Sequence, residues 1–469
     1  MEISKENNPN EKVLAELKKD FEKKELTENR LIEVLSDFPD SDFCYLLMGH
    51  IQKSKNNLEG SLHSYSRAEQ INPNSKEIRF SIAETLFHLG KDEMSLNAIE
   101  KCLELDPKDK NANLFLANIF IFQNKLDKAS LIFASLYKEN QFDKTIGAQY
   151  AKLLFDCGKN SEALNLYDDL ELKFPDDIFI KINKAIIFKL YKDYDKALEL
   201  SYGALKIEPN SDIIKALILD IKFYKKDFSG FRSFYNSIEN EKLAYNNSVA
   251  AQCYNITKQT GEGFELNLCK SPIDHIFTTH ISAHNKDYKV FLKKIIALVR
   301  QHNKTWNPEK VSTKSGFQTD DNLFKISDPL ISNLTQFIIY SVNQYRQKFI
   351  DSKEPLFTNW PNQTNIEGWS VFLSKDGYQD PHMHTSSWIS GCFYLQLDDY
   401  NDDKGSIYFT SSGYDYPILD KTKQIEKFII KPKEGDLILF PSFLFHGTVP
   451  TQSDKERISL AFDIKKSMK

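Results

Sequence analysis

A fixed 34-residue spacing runs through the first half of this 469-residue chain. Prolines stand at 39, 73, 107, 175 and 209, and the one gap in the series, position 141, holds glutamine. Small residues form two more columns with the same period, at Gly49, Ala83, Ala117, Ala151 and Ala185 and at Ser61, Ser95, Ala129, Ala163 and Ala197. A period of this length predicts a repeated supersecondary unit.

Each column has a physical role in a pair of antiparallel helices. Small side chains are expected where two helices approach closely, and the proline follows the second helix, which it cannot continue. Stretches such as 71–75 and 105–109 supply a helix stop followed by a new N-cap. The columns resemble the tetratricopeptide repeat. The resemblance implies about five units over residues 42–211, a weaker unit to about 245 in which Leu219 replaces the small residue, and an N-terminal helical cap over residues 1–41.

Repeats of this kind bury their cores by stacking, and the stack curves into a superhelix with a concave face. The resemblance implies a protein or peptide partner on that face. The alternative is that the array only spaces or dimerises the second half of the chain.

The period is lost after residue 245, and we interpret residues 246–285 as a degenerate helical linker. Two amphipathic helices follow, over 286–302 and 328–349. From about residue 355 the pattern changes to short strand-like segments separated by turn residues, at 369–374, 389–397, 406–410, 427–431, 437–440 and 457–464. Short strands after helices predict a double-sheet jelly roll over residues 286–469 with flanking helices, so the chain is expected to be multidomain.

Three histidines stand in this strand-rich region. His382 and His384 are two residues apart, so on a strand both imidazoles lie on one face, about 6–7 Å apart along the chain. His446 lies beyond the 437–440 strand and can complete the set from a neighbouring strand. Imidazole suits iron, zinc, copper and nickel, so the histidines predict a metal site without selecting the metal.

Arg457 follows His446 by eleven residues. In the last strand Arg457, Ser459, Ala461 and Asp463 face one way, and Ile458, Leu460, Phe462 and Ile464 face the other. A guanidinium and the Ser459 hydroxyl inside a barrel can bind a carboxylate with two parallel hydrogen bonds. Tyr394 lies in the strand after the histidine pair and could add its hydroxyl. A metal beside a carboxylate anchor predicts a dicarboxylate cosubstrate.

The arrangement resembles the Fe(II)- and 2-oxoglutarate-dependent oxygenases, and more narrowly a bacterial and phage branch of that superfamily. The matching motifs are His382-Met-His384, Ser390-Gly-x-x-Tyr-Leu395, Phe440-Pro-Ser…His446, Arg457-Ile-Ser-Leu-Ala-Phe462 and, upstream, Gly316-Phe-Gln-Thr319. The resemblance implies iron(II) held by the three histidines, 2-oxoglutarate held by Arg457, Ser459 and Tyr394, ascorbate as a supporting reductant, and no catalytic residue beyond the metal ligands.

One residue departs from the superfamily pattern. The usual carboxylate ligand is replaced by His384, so three neutral ligands leave the ion with about one more net positive charge, which a dianionic cosubstrate could offset. The alternatives are that His384 is not a ligand or that Asp380 contributes; Asp380 would share the strand face of His382, although Pro381 makes that geometry irregular.

The bulk properties exclude some functions. A formal net charge of -5 and a sequence pI of about 6.1 give no electrostatic case for nucleic-acid binding. The six cysteines include no Cys-x-x-Cys pair, which indicates free thiols in a reducing cytoplasm. The first residues have no apolar core typical of a signal peptide, and no apolar run is long enough for a membrane helix.

The sequence therefore predicts a 2-oxoglutarate-dependent dioxygenase that hydroxylates a protein or peptide side chain presented by the repeats. Two alternatives stay open. The same enzyme could act on a small metabolite or a glycan, or the jelly roll could hold a metal without catalysis on a repeat scaffold. Joining a repeat array to a barrel is an analogy at the level of folds, which is a weak guide to the substrate.

Overall fold

The computed structural model describes residues 11–467, except for 141–142, 239–245, 266, 309–310, 320–321, 399–401, 414, 421 and 423–424. The chain divides into two compact units, residues 1–187 and 188–469. None of the helices in the described ranges combines the length and the apolar character needed to cross a bilayer.

The first unit consists of helices that pack in consecutive pairs, α3 on α4, α5 on α6, α7 on α8 and α9 on α10. Its helices are α1 (Glu11–Glu22), α2 (Glu28–Asp37), α3 (Asp42–Ser54), α4 (Leu58–Ile71), α5 (Lys76–His88), α6 (Asp92–Leu105), α7 (Lys110–Phe122), α8 (Leu126–Glu139), α9 (Lys144–Asp156), α10 (Asn160–Lys173) and α11 (Ile178–Leu190), the last of which continues into the second unit.

The 34-residue period is visible in the caps and in the contacts of these helices. Ser41, Ser75, Asp109 and Asp143 are N-caps, and each accepts a hydrogen bond from the backbone N–H three residues further on. Gly49 faces the ring of Tyr65, where a Cβ would collide with that ring. The small-residue columns are buried, which confirms the helical repeats predicted from the sequence.

The second unit begins with helices and continues into two antiparallel sheets. Its helices are α12 (Tyr194–Ile207), α13 (Asp212–Tyr224), α14 (Phe228–Ser237), α15 (Asn247–Thr260), α16 (Tyr288–Val299), α17 (Pro329–Lys348) and α18 (Pro355–Thr358). Its strands are β1 (Phe277–His280), β2 (Lys304–Trp306), β3 (Thr313–Thr319), β4 (Thr364–Gln379), β5 (Ile389–Gln396), β6 (Ile407–Thr410), β7 (Lys427–Ile430), β8 (Asp436–Pro441), β9 (Phe445–Thr448) and β10 (Arg457–Lys466).

Seven strands form one sheet in the order β1-β8-β5-β10-β4-β3-β2, and three form a second sheet in the order β7-β6-β9. Every pairing is antiparallel, so helices followed by antiparallel sheets confirm the predicted fold class, and the two sheets are consistent with a jelly roll. The six predicted strands correspond to β4, β5, β6, β7, β8 and β10. The sequence did not predict β1, β2, β3 and β9, of which three have only three or four residues.

Helix α15 lies in the stretch interpreted as a linker, and its asparagine side chains form hydrogen bonds with loops that connect the strands. Asn247 donates hydrogen bonds of 2.7 and 2.6 Å to the backbone carbonyls of His384 and Ser387. Further along the helix, Asn255 donates to the carbonyl of Ser411. One hydrophobic core runs from α13 through α15 to the sheets.

The predicted domain limits at 41, 245 and 285 remain predictions. Residues 1–10 of the predicted cap and 239–245 of the weak last repeat lie outside the described residues. Strand β1, at Phe277–His280, falls within the stretch interpreted as a linker and pairs with β8.

Candidate metal centre

Backbone hydrogen bonds bring the histidine pair beside strand β9. His382 and His446 exchange two N–H···O=C bonds of 2.9 Å, and His384 N–H donates to the carbonyl of Ser442 at 2.9 Å. These bonds fix the register between the segment after β4 and the strand that carries His446. The three side chains therefore meet although His446 is more than sixty residues from the pair.

The ligand atoms of His382, His384 and His446 all lie within 4.8 Å of one another. Their ring centroids are separated by 4.3 to 5.3 Å. Three imidazoles at this spacing could hold one metal ion. Among the described residues Asp380, the alternative ligand, is outside this group, and its backbone carbonyl lies 2.8 Å from His382 Nδ1.

Each of the three rings has a hydrogen-bond acceptor at Nδ1. His382 Nδ1 faces the Asp380 carbonyl at 2.8 Å, and His446 Nδ1 faces the Leu444 carbonyl at 3.0 Å. His384 Nδ1 faces the Asp463 carboxylate at 2.5 Å. Acceptors at all three Nδ1 atoms favour the tautomer with the proton there, which leaves the Nε2 lone pairs for a metal.

Burial keeps two of the imidazoles neutral. It lowers the pKa of His382 to about 3, with a further contribution from the neighbouring His384. It also lowers the pKa of His446 well below its ordinary value, with His382 and His384 adding to the effect. Neutral imidazole is the form that binds a metal, so both side chains are already in a metal-binding form at neutral pH.

A buried carboxylate accompanies His384. Asp463, on β10, is 5% exposed and also accepts a hydrogen bond of 2.7 Å from the Ser390 hydroxyl. Burial opposes its ionisation, but attraction to His384 and the hydrogen bonds from His384 and Ser390 outweigh that effect and lower the pKa of this carboxyl. Asp463 is therefore an anion beside the three histidines.

Arg457 lies on the same face of β10 as Asp463, at the start of the strand, and is 3% exposed. Its Nε donates to the Gly405 carbonyl at 2.9 Å, and its Nη1 donates to the Ser459 hydroxyl at 3.1 Å. Within the described ranges no carboxylate pairs with this guanidinium. A buried cation without a counter-ion is costly, so the arrangement fits an anionic ligand.

Tyr394 is fully buried, and its register partner on β10 is Ser459. The Arg457 guanidinium carbon lies 5.1 Å from the centroid of the Tyr394 ring. The Tyr394 hydroxyl makes no hydrogen bond of good geometry among the described residues, and its polar neighbour is the Cys392 thiol, which is only a weak partner. The structure thus brings Arg457, Ser459 and Tyr394 together, and a hydroxyl with so weak a partner fits a ligand with a further acceptor.

Aromatic side chains enclose the histidines. The ring centroid of Trp369 lies 5.7 Å from that of His384, and those of Phe440 and Phe409 lie 4.5 and 6.4 Å from that of His446. Ser312, just before β3, places its hydroxyl 3.3 Å from His382 Nε2, the nitrogen that would face a metal.

No role was predicted from the sequence for Asp463 or Asn247, and Ser390 was named only as part of a matching motif. The alternation of β10 already placed Asp463 on the face of Arg457, so that signal was present. Nothing in the sequence pairs Asp463 with His384 or Asn247 with the same loop, because those partners lie 79 and 137 residues apart.

Comparisons with known protein families find a match in each half of the chain. Residues 367–463 match the family described as "Putative 2OG-Fe(II) oxygenase", and residues 77–109 match the tetratricopeptide repeat. The oxygenase match contains all six predicted site residues and ends at Asp463. No curated protein matches the chain.

The chain is also similar to several solved structures. A tetratricopeptide repeat protein from Parabacteroides merdae is 18% identical, with a TM-score of 0.39, over 48% of this chain and 91% of that one. YrrB, described as a TPR protein with an unusual peptide-binding site, is 17% identical, with a TM-score of 0.35, over 41% and 97%. The MamA protein is 16% identical, with a TM-score of 0.33, over 36% and 92%.

Proposed function

We propose that this chain, which joins tetratricopeptide repeats to a 2OG-Fe(II) oxygenase domain, is a 2-oxoglutarate-dependent hydroxylase of protein or peptide side chains. The observation that carries the proposal is the combination of three converging histidines with a buried guanidinium that has no carboxylate partner. The first group suits a divalent metal and the second suits an organic acid. A structural metal site alone would leave Arg457 unexplained.

In this proposal His382, His384 and His446 hold iron(II) through Nε2. When bound, the metal would supply the chemistry by which O2 oxidises 2-oxoglutarate to succinate and CO2 with one of its oxygen atoms and hydroxylates a substrate C–H bond with the other. Arg457, Ser459 and Tyr394 bind and orient the cosubstrate carboxylate that is not at the metal. Trp369, with the other rings around the histidines, excludes water from the site.

The test is succinate formation by the full-length protein with iron(II), ascorbate and 2-oxoglutarate. His446→Ala should abolish both iron retention and succinate formation, and Arg457→Ala should mainly raise the KM for 2-oxoglutarate. His63→Ala is a matched control, because that histidine is exposed on α4. Full iron content and full turnover in His446→Ala would overturn the ligand assignment.

The substrate class in this proposal is supported by an aromatic row on the first helices of two consecutive repeats. Phe80 and Phe87 on α5 contact Phe115 on α7, with ring centroids 5.5 and 5.8 Å apart, and Phe87 contacts Phe122 at 5.2 Å. Phe122 is 68% exposed. Exposed aromatic side chains are enriched where proteins bind one another.

Host proteins that gain the mass of one oxygen atom when the enzyme is present would identify the substrate. Phe122→Ser should reduce this modification while leaving succinate formation without substrate unchanged. Equal modification by Phe122→Ser and the wild type would argue against delivery by this surface. We also propose a cytoplasmic location, which six unpaired cysteines support.

A second candidate substrate is a small molecule, which a cavity of about 610 Å³ in the second unit favours. The cavity lies between α15 and the β6–β7 pair, and Phe409 forms part of its wall. Volumes of this size are typical of small-molecule sites. If this candidate is correct, Lys258→Ala, which changes the cavity lining, should alter substrate oxidation and Phe122→Ser should not.

A further inference from the structure

We propose that Asp463 is a positioning residue that holds His384 with Nε2 toward the metal and supplies, through that imidazole, the negative charge that the first ligand shell lacks. This inference rests on the proposed function. It concerns the one place where the ligand set departs from two histidines and a carboxylate.

The three histidines differ in their partners at Nδ1. His382 and His446 face neutral backbone carbonyls, whereas His384 faces a carboxylate oxygen at 2.5 Å. His384, the residue that stands where a carboxylate ligand is usual, is therefore the one with a charged partner. A carboxylate at Nδ1 fixes the ring orientation and makes the imidazole a more basic ligand.

Asp463 itself is held in place from a second direction. The Ser390 hydroxyl lies 2.7 Å from the same carboxylate oxygen, Oδ1, and 2.9 Å from the Ser442 hydroxyl. Asp463 stands opposite Ser390 in the pairing of β10 with β5. The carboxylate thus cannot turn away from His384 without losing a buried hydrogen bond.

The charges around Asp463 also favour a metal ion bound to His384. Its side chain is 7% exposed, and in the part of the chain that the structure describes it contacts the His384 imidazole and pairs with no lysine or arginine. A buried carboxylate without a lysine or arginine partner is costly unless a cation stands nearby. A divalent ion on the other nitrogen of the same imidazole would be that cation, so the metal and Asp463 would stabilise each other.

The test measures Co(II) affinity and the visible Co(II) spectrum of the full-length, metal-free protein. Asp463→Asn keeps the shape and one acceptor oxygen but removes the charge. We expect Asp463→Asn to weaken Co(II) binding about 10- to 100-fold and to shift the Co(II) bands. Asp463→Glu should restore part of the affinity. Ser390→Ala removes a hydrogen bond to the same carboxylate and should weaken Co(II) binding less than Asp463→Asn does. This variant replaces Asp463→Asn in the test if Asp463→Asn does not fold.

Glu367→Gln is the matched control, since Glu367 is the register partner of Asp463 on β4 but pairs with Lys465. Its Co(II) affinity should equal that of the wild type. Unchanged Co(II) affinity and spectrum in Asp463→Asn would overturn this inference and leave the proposed function standing. A wild-type protein that binds no Co(II) would overturn both. Retention of Co(II) by His384→Ala but not by Asp463→Asn would make Asp463 a direct ligand and overturn the positioning role.

Discussion

Replacing Tyr394 by phenylalanine should raise the stability of the ligand-free protein and weaken its binding of 2-oxoglutarate. The hydroxyl of Tyr394 is buried, and among the described residues it has only the weakly bonding Cys392 thiol beside it. An unsatisfied buried polar group costs roughly 1–3 kcal/mol, and phenylalanine keeps the packing of the ring. Without ligand, Tyr394→Phe should therefore be more stable by about 1–2 kcal/mol.

The same hydroxyl should stabilise bound 2-oxoglutarate. A hydrogen bond to a charged group contributes about 1.5–3 kcal/mol, so Tyr394→Phe should weaken 2-oxoglutarate binding about 10- to 100-fold. Urea unfolding of the full-length protein without ligand measures the first effect. Calorimetric titration of 2-oxoglutarate into the metal-loaded protein measures the second.

Tyr345→Phe is the matched control in the same unit. The Tyr345 hydroxyl is attached to an equally buried ring but donates to the His275 carbonyl at 3.0 Å. Its removal should destabilise the protein by about 1 kcal/mol and leave 2-oxoglutarate binding unchanged. If Tyr394→Phe instead loses stability as Tyr345→Phe does and binds 2-oxoglutarate normally, the assignment of Tyr394 to the cosubstrate site is wrong.

Three further predictions concern other parts of the structure. In the folded protein the pKa of His382 is about 3, whereas in the unfolded protein it is about 6.5, so only the unfolded residue takes up a proton between pH 7.5 and 5.5. Over that range the free energy of unfolding of the metal-free protein should fall by about 1.4 kcal/mol through this residue. Urea unfolding at both pH values should show a smaller loss in His382→Gln. Asn247→Ala removes two hydrogen bonds to carbonyls of the loop that carries His384, so it should lower the free energy of unfolding by about 2–3 kcal/mol and weaken Co(II) binding. Unchanged Co(II) binding would show that α15 does not help to position His384. Gly49→Ala should destabilise the first unit by about 1–3 kcal/mol, as followed by circular dichroism in urea, because the new Cβ meets the Tyr65 ring; a more stable variant would contradict the close helix contact.

The repeats were predictable from the sequence because each helix pair repeats the same local requirements. A small residue stands at each close contact, and a serine or aspartate caps each first helix, so one period encodes the packing of many elements. The long strands β5 and β10 were predictable for a similar reason, since they carry a continuous apolar or alternating pattern.

Short strands and contacts between distant residues were not predictable. Strand β1 reads Phe-Thr-Thr-His, which has no apolar alternation, and it becomes a strand by pairing with β8. The metal ligands could be proposed from their spacing. The Asp463–His384 contact depends on the register of β10 against its neighbours, which tertiary packing decides.

The account depends on one pocket that binds a metal and a dicarboxylate together. Calorimetric titration of 2-oxoglutarate under anaerobic conditions, with and without iron(II), tests this most directly. We predict one site per chain that requires the metal and that Arg457→Gln weakens by about 2–5 kcal/mol. Binding that is independent of iron(II), or equally tight in Arg457→Gln, would contradict the account.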